Sequence, residues 1–427
     1  MSSAAVPESG TVELSAVDSS AVDSSAVDSS ATASAAAEAV AAPSLLYSEV
    51  EDDLRASVRA LLADRSPWNA VLARCETDQP YDTSVWKSLA ADLGCAGLAI
   101  PEKAGGAGAS WREAAVVAEE VGRAVTPVPF LTSSVIATAA VLALQESAQA
   151  AEIGDLLERL AAGRTAAVPA VPFSSAPDAA FSKALLSDAP FSNTVRADDA
   201  GRLSGAVTSV ADARVADLFI VPATASAGPA LFVVDADAAG VTLDAATSLD
   251  LTRPLADLTF TEATGRQLAS NDAAMTALSR ALSTGAAVLA SEQLGIAEAC
   301  LELSVSYLKT RYQFARPIGS YQALKHRAAD LWASVAQARA VARYAAACVA
   351  DDDPDAPVAV ALAQAYCSGV AVRAAEECVQ FHGGIGFTWE HPAHLYLKRA
   401  KSDSIALGTA SRHRAALGRL VDLPAAT

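Results

Sequence analysis

Two stretches hold residue types that could take a phosphorylated ligand: Arg311-Tyr-Gln-Phe-Ala-Arg-Pro-Ile-Gly319 and Gln380-Phe-His-Gly-Gly-Ile-Gly-Phe-Thr-Trp-Glu-His391. The guanidinium of Arg311 can bind a pyrophosphate through two parallel charge-assisted hydrogen bonds. Glycines at 383, 384 and 386 lack the Cβ that would keep backbone N–H groups away from phosphate oxygens. Singly, each feature has an ordinary reading, since Gly-Gly-Ile-Gly makes a turn and an arginine at a helix end complements the helix dipole. His391 and His394 are spaced as metal ligands would be on a helix, but no third ligand accompanies them, so no metal is expected.

The elements that must position these residues follow from the hydrophobic pattern. Residues 1–43 are mainly Ser, Ala, Val, Asp and Glu, with Ser-Ala-Val-Asp-Ser repeated in tandem from Ser15, too polar to offset chain entropy by burial. That segment reads as a disordered tail. From 44 to 165 apolar residues recur at helical spacing, as in Leu54, Val58, Leu61 and Leu62. Between 166 and 265 the texture changes to short β-rich runs near Thr194, Asp217, Ala230, Gly240 and Leu255, separated by turn residues at the spacing of a small barrel or sandwich. From 272 to 423 helical periodicity returns, broken chiefly at Arg316–Gly319, Asp351–Pro357 and Gly383–Pro392.

In this order and wording the two motifs resemble signatures of the acyl-CoA dehydrogenase family. The resemblance implies a mainly α fold with a central β domain: an N-terminal helical domain, a middle β-barrel or sandwich, and a C-terminal four-helix bundle. It further implies that Arg-x-x-Phe (Arg311, Phe314) and Gly-Gly-x-Gly (Gly383, Gly384, Gly386) close over the ADP half of FAD across a subunit interface, with Gln313, Gln380 and Thr409 beside them. Pro101-Glu-Lys-Ala-Gly-Gly106 is similar to a family loop beside the acyl pocket. The reaction so implied is α,β-dehydrogenation of an acyl-CoA in lipid or steroid degradation, with electron-transfer flavoprotein as the kind of acceptor.

In this family a Glu whose pKa rises on desolvation removes the α-proton. Most members carry it just before a Gly-Thr near the C-terminus, where this chain has Leu407. A leucine cannot take a proton. A minority carry it about seven turns before the Arg of Arg-x-x-Phe, which here falls near Gly285. Glu292, two turns further on, is the acidic candidate on that stretch before Glu298; as an alternative it is a helix-surface carboxylate or an arginine's partner.

The ring end of the flavin site departs too. Ala170-Val-Pro-Phe-Ser-Ser175 and Ala206-Val-Thr-Ser-Val210 stand where the family has Thr-Glu-Pro-x-x-Gly-Ser-Asp and Trp-Ile-Thr, although Thr208 and Ser209 retain hydroxyls. Ser411 replaces the usual Gln after Thr409. Motifs at the adenine end without a base resemble the more divergent subunit of actinobacterial α2β2 dehydrogenases acting on steroid side chains. Three readings stay open: a self-sufficient enzyme, a non-catalytic partner subunit that completes another subunit's FAD site, and a different flavin reaction on the same fold. A homo- or heterotetramer is implied in the first two.

The remaining features exclude more than they assign. A net charge of −18 argues against nucleic acid. Six scattered cysteines read as reduced, mostly buried thiols. No early basic residue precedes an apolar run and no uninterrupted apolar window reaches the ~18–20 residues of a membrane span, so a cytoplasmic protein is expected. Asp250 with Arg253 reads as a structural salt bridge and turn, and Lys325, His326 and Arg339 to Arg343 read as solvated helix faces or tetramer contacts.

Overall fold

Capping chemistry sets the first helices. In the computed structural model, which describes residues 44–147, 149–179 and 194–424, Ser48 and Glu51 form a capping box that starts α1 (Glu49–Arg65). A second box, Ser110 with Glu113, starts α4 (Trp111–Ala124). Between them lie α2 (Trp68–Cys75) and α3 (Thr83–Lys87), the latter capped by Asp82. A π-helical turn at Phe130–Ala137 runs into α5 (Thr138–Leu142), and α6 (Ala150–Ala161) completes the N-terminal helices. The tail expected at 1–43 lies outside the described residues.

Among the described residues eight strands follow: β1 (Ala167–Pro169), β2 (Val195–Ala197), β3 (Arg202–Ala211), β4 (Leu218–Ala225), β5 (Gly228–Asp235), β6 (Val241–Ala245), β7 (Leu255–Thr264) and β8 (Arg266–Ser270). They make one sheet in the order β6-β7-β3-β2-β4-β5-β8, with β1 parallel to the start of β4. Alternation sorts its side chains between two interiors. Leu218, Ile220, Leu231 and Val233 face the core shared with the helices, whereas Phe219, Val221, Phe232 and Val234 join Leu258 and Phe260 of β7 in a second core. Strands from distant places in the sheet thus share one interior, the mark of a strongly curved, barrel-like sheet. Periodicity alone left out β1, β3 and β8; β3 is broken by two register shifts against β7, which blur its alternation.

The C-terminal half is α7 (Asn271–Thr310), a short hairpin of β9 (Tyr312–Gln313) and β10 (Arg316–Pro317), α8 (Gln322–Ala350), α9 (Ala356–His382), α10 (Ala393–Asp403) and α11 (Ala410–Leu420). At 40 residues, α7 spans roughly 60 Å at 1.5 Å per residue and touches every other layer. It meets α4 at two glycines. A Cβ on Gly122 would overlap the carbonyl oxygen of Glu292, and one on Gly295 that of Glu119, so the two backbones lie in contact. By length and apolarity α7 and the α9 segment could each cross a membrane, but most of each is buried within the protein. Their apolarity is that of core helices.

Candidate functional site

At the C-terminal end of α7 the chain turns back through the β9–β10 hairpin. Its two-residue tip, Phe314 and Ala315, has φ of 52° and 61°. Both residues are left-handed, as a tight hairpin turn requires, and without glycine each costs about 1–2 kcal/mol. The strained tip holds the Phe314 ring 88% exposed. Arg311, the residue that ends α7, is exposed, and its guanidinium has no hydrogen-bond or ionic partner among the described residues. Gln313 and Gln380 are exposed as well.

Seventy residues later α9 ends at Gly383, whose φ of 61° with ψ of −135° suits glycine alone. A Cβ at Gly383 or Gly384 would meet nothing within 4 Å, so open space lies beside both backbones. Gly386 differs. A Cβ there would stand 2.7 Å from the carbonyl oxygen of Val379, so this glycine serves the packing of the turn on α9. Thr409 caps α11 by accepting a hydrogen bond from the N–H of Arg412.

A stack of rings joins the two motifs. Tyr307, one turn before Arg311, lies 4.5 Å from His382, and His382 lies 4.0 Å from His391. His382 Nδ1 donates to the carbonyl of Cys378 at 2.7 Å, which fixes its ring. Burial, aided by His382 and His394, pushes His391 down to about 4, so both rings can stack without two charges meeting. His394 packs edge-on against Trp389. Phe314, Phe387, Trp389 and Tyr312, all more than half exposed, flank this end of the bundle. Sequence spacing did not single out Tyr307 or His382, since only the fold brings them between the motifs.

The positions where a base is sought converge on one spot. Leu407, between α10 and α11, is 1% exposed. A Cβ on Gly285 would stand 3.2 Å from Leu407 Cδ1 and 2.6 Å from Cγ1 of Ile136, a buried residue of the π-helical turn. The Leu407 N–H donates to the carbonyl of Phe173 at 2.7 Å, and its carbonyl accepts from His413 Nε2 at 2.9 Å. The Phe173 N–H in turn donates to Ser209, a left-handed residue within a register shift of β3. The loop at Phe173 therefore ties the sheet to the Leu407 turn. Beside it opens a cleft of about 380 Å³ lined by Ser279, Ser283, Val360, Arg412, His413 and Arg419. The carboxylate on its wall, Asp178, is bound by Arg412 and Arg419.

Glu292 sits in a different setting from an exposed helix face. Arg253 Nη2 donates to both its oxygens at 2.7 and 2.6 Å, and Arg399 Nη1 to Oε1 at 2.6 Å. Arg253 Nη1 also donates to Asp403 at 2.6 Å, and Arg399 Nε lies 2.8 Å from Asp250. None of the five is more than 2% exposed. Burial pulls the Glu292 carboxyl upward, but the two arginines and their hydrogen bonds outweigh it and hold it below its ordinary range. Asp250 and Arg253 thus pair with other residues rather than with each other. Arg343 also corrects the expectation of a solvated face: it is fully buried, ion-paired with Glu51, and lies 4.2 Å from the Tyr47 ring centre. The N-terminal helices cover that side of α8. All six cysteines are free and buried.

A family model described as "Acyl-CoA dehydrogenase, C-terminal domain" matches residues 275–421, and one described as "Acyl-CoA dehydrogenase, N-terminal domain" matches residues 48–164. The chain is similar to acyl-CoA dehydrogenase IpdE2 of Mycobacterium tuberculosis, with 35% identity over 81% of this chain and 89% of that protein. Among solved structures it is similar to the ChsE4-ChsE5 complex from Mycobacterium tuberculosis, with a TM-score of 0.77 and 28% identity over 90% of this chain and all of the matched chain. It is also similar to a variant of the Tcur3481-Tcur3483 steroid ACAD, with a TM-score of 0.75 and 32% identity over 88% of this chain and 98% of that one.

Proposed function

Because the chain belongs to the acyl-CoA dehydrogenase family, we propose that it works as a partner subunit of a dehydrogenase assembly, lending Arg311, Phe314, Gly383 and Gly384 to a FAD site completed by a neighbour. Members of the family bind FAD. The residues at the adenine end fit that group: an exposed guanidinium without a partner among the described residues, two glycines with open space where a Cβ would lie, and an exposed ring on a strained turn. FAD, when bound, supplies a hydride acceptor for α,β-dehydrogenation.

The observation that carries the partner-subunit reading is the meeting of Leu407, Gly285 and Ile136. Both places where this family keeps a base are apolar and packed against one another. In this reading Glu292 is structural, because a carboxylate held by two guanidiniums is a poor proton acceptor. The proton of an acyl-CoA thioester is then removed by a carboxylate of the other subunit. A steroid or related lipid acyl group is the substrate class we infer, since the similar Tcur3481-Tcur3483 assembly is a steroid ACAD. Electron-transfer flavoprotein is the inferred class of acceptor.

The test is the visible spectrum of the chain purified alone and again after co-expression with a dehydrogenase homologue that carries the Glu. Flavin absorbance and acyl-CoA oxidation are expected in the second preparation only. Stoichiometric flavin with turnover by the chain alone would overturn the reading.

A further inference from the structure

We propose that Asp403 is held in the folded protein as a neutral carboxylic acid, and that its proton makes the buried hub of Arg253, Arg399, Asp250, Glu292 and Asp403 electrically neutral. Charge counting comes first. Two guanidiniums face three carboxyls, none more than 2% exposed. With every carboxyl ionised the hub would bury a net negative charge, which is expensive in so dry a place.

Hydrogen bonding selects the proton's site. Glu292 accepts three hydrogen bonds from Arg253 and Arg399; Asp250 Oδ1 accepts from both the N–H and hydroxyl of Thr252, and its Oδ2, which has no hydrogen bond among the described residues, still lies 2.8 Å from the Arg399 Nε cation. Asp403 receives one, from Arg253 to Oδ1, and its Oδ2 has no donor among the described residues. Nearby, Gln293 donates from Nε2 to the Asp403 carbonyl while its own Oε1 also lacks a donor. A proton on Asp403 Oδ2 turns one of these unmatched acceptors into a donor.

Every element around the group acts on it. Glu292 of α7 and Asp250 of the loop before β7 repel its charge; Arg253 of that loop and Arg399 of α10 attract it; Gln293 of α7 and Gln364 of α9 are neutral. Asp212, after β3, adds a further carboxyl near Arg253. Burial first, and then Glu292, push the Asp403 carboxyl up to about 8.

The hub joins the Asp250–Arg253 loop, α7 and α10 just ahead of the Leu407 turn, so the proton gives the fold an alkaline-sensitive clamp. The sign follows from linkage. The folded value is raised above the ordinary aspartate value of 3.8, so the stabilisation is complete below about 4 and is lost as pH rises towards 8.

The experiment is infrared spectroscopy of the whole chain with and without carbon-13 in its aspartate side chains, as a function of pH. A protonated-carboxyl C=O band that shifts with aspartate labelling is expected at pH 6.5. It should fade as pH rises through about 8, survive in Asp212→Asn and vanish in Asp403→Asn. Absence of any such band in the unaltered chain at pH 6.5 would overturn the proposal, even if Asp403→Asn does not fold. Where it folds, its melting temperature should fall less steeply between pH 5 and 8 than that of the unaltered chain; equal slopes would also overturn it.

Discussion

Gly285 of α7 and Leu407 of the α10–α11 turn face each other so closely that a Cβ on the glycine would stand 3.2 Å from the leucine Cδ1. Ile136 closes the same spot from the N-terminal helices. Gly285, Ile136 and Leu407, from three separate elements, therefore fill one place with hydrocarbon. Introducing a carboxylate at Gly285 would first require Ile136 to move.

Leu407→Glu is accordingly expected to create no acyl-CoA oxidation in the chain purified alone. The new carboxyl would enter an apolar pocket packed by Gly285 and Ile136, and its pKa would rise on burial. Turnover by this variant, measured with an artificial electron acceptor, would show that the chain has an active site of its own.

Glu292→Gln separates structure from catalysis. Removing one charge leaves Arg253 and Arg399 short of a partner in a buried hub, so stability should fall by about 3–5 kcal/mol. A working general base is worth roughly 10²–10⁴ in rate. The folded fraction of the variant, assembled with its partner, should lose less than about tenfold in turnover; a loss of the larger size with an unchanged flavin spectrum would make Glu292 the base.

Arg311→Ala and Gly384→Leu should each lower the flavin content of the assembled protein without changing its circular dichroism. The first removes a charge-assisted contact of about 1.5–3 kcal/mol, and the second fills space that is open beside the turn. Flavin stoichiometry by absorbance is the measurement, and unchanged values in both variants would remove these residues from the cofactor site.

Phe314→Ala should weaken assembly while leaving the chain folded, because a ring 88% exposed on a strained turn contributes little to its own subunit. Light scattering of the complex at falling concentration reads this directly. The same melting temperature for the isolated variant and unchanged assembly together would leave Phe314 without a partner to bind.

Gly295→Ala tests the α4–α7 crossing. The added methyl would overlap the Glu119 carbonyl oxygen and push two long helices apart, at a cost of about 1–3 kcal/mol or more. Thermal unfolding should shift down by several degrees; Gly369→Ala on the open side of α9, where a Cβ meets nothing within 4 Å, should not share that shift.

The linear order of residues was enough to place the helix–strand–helix layout and the wording that marks the family, since these rest on residue type, local period and turn chemistry. It did not reveal that Glu292 and Arg343 are buried, that Tyr307 and His382 bridge the two motifs, or that Leu407, Gly285 and Ile136 meet. A helical period says which residues share a face, not what lies against that face. Whether a carboxylate is a base, a surface charge or the anchor of two arginines is decided by the dielectric and the partners around it, and those come from segments far apart in the chain. Arg253, Glu292 and Arg399 belong to a loop and two helices that only the tertiary structure brings within hydrogen-bonding distance.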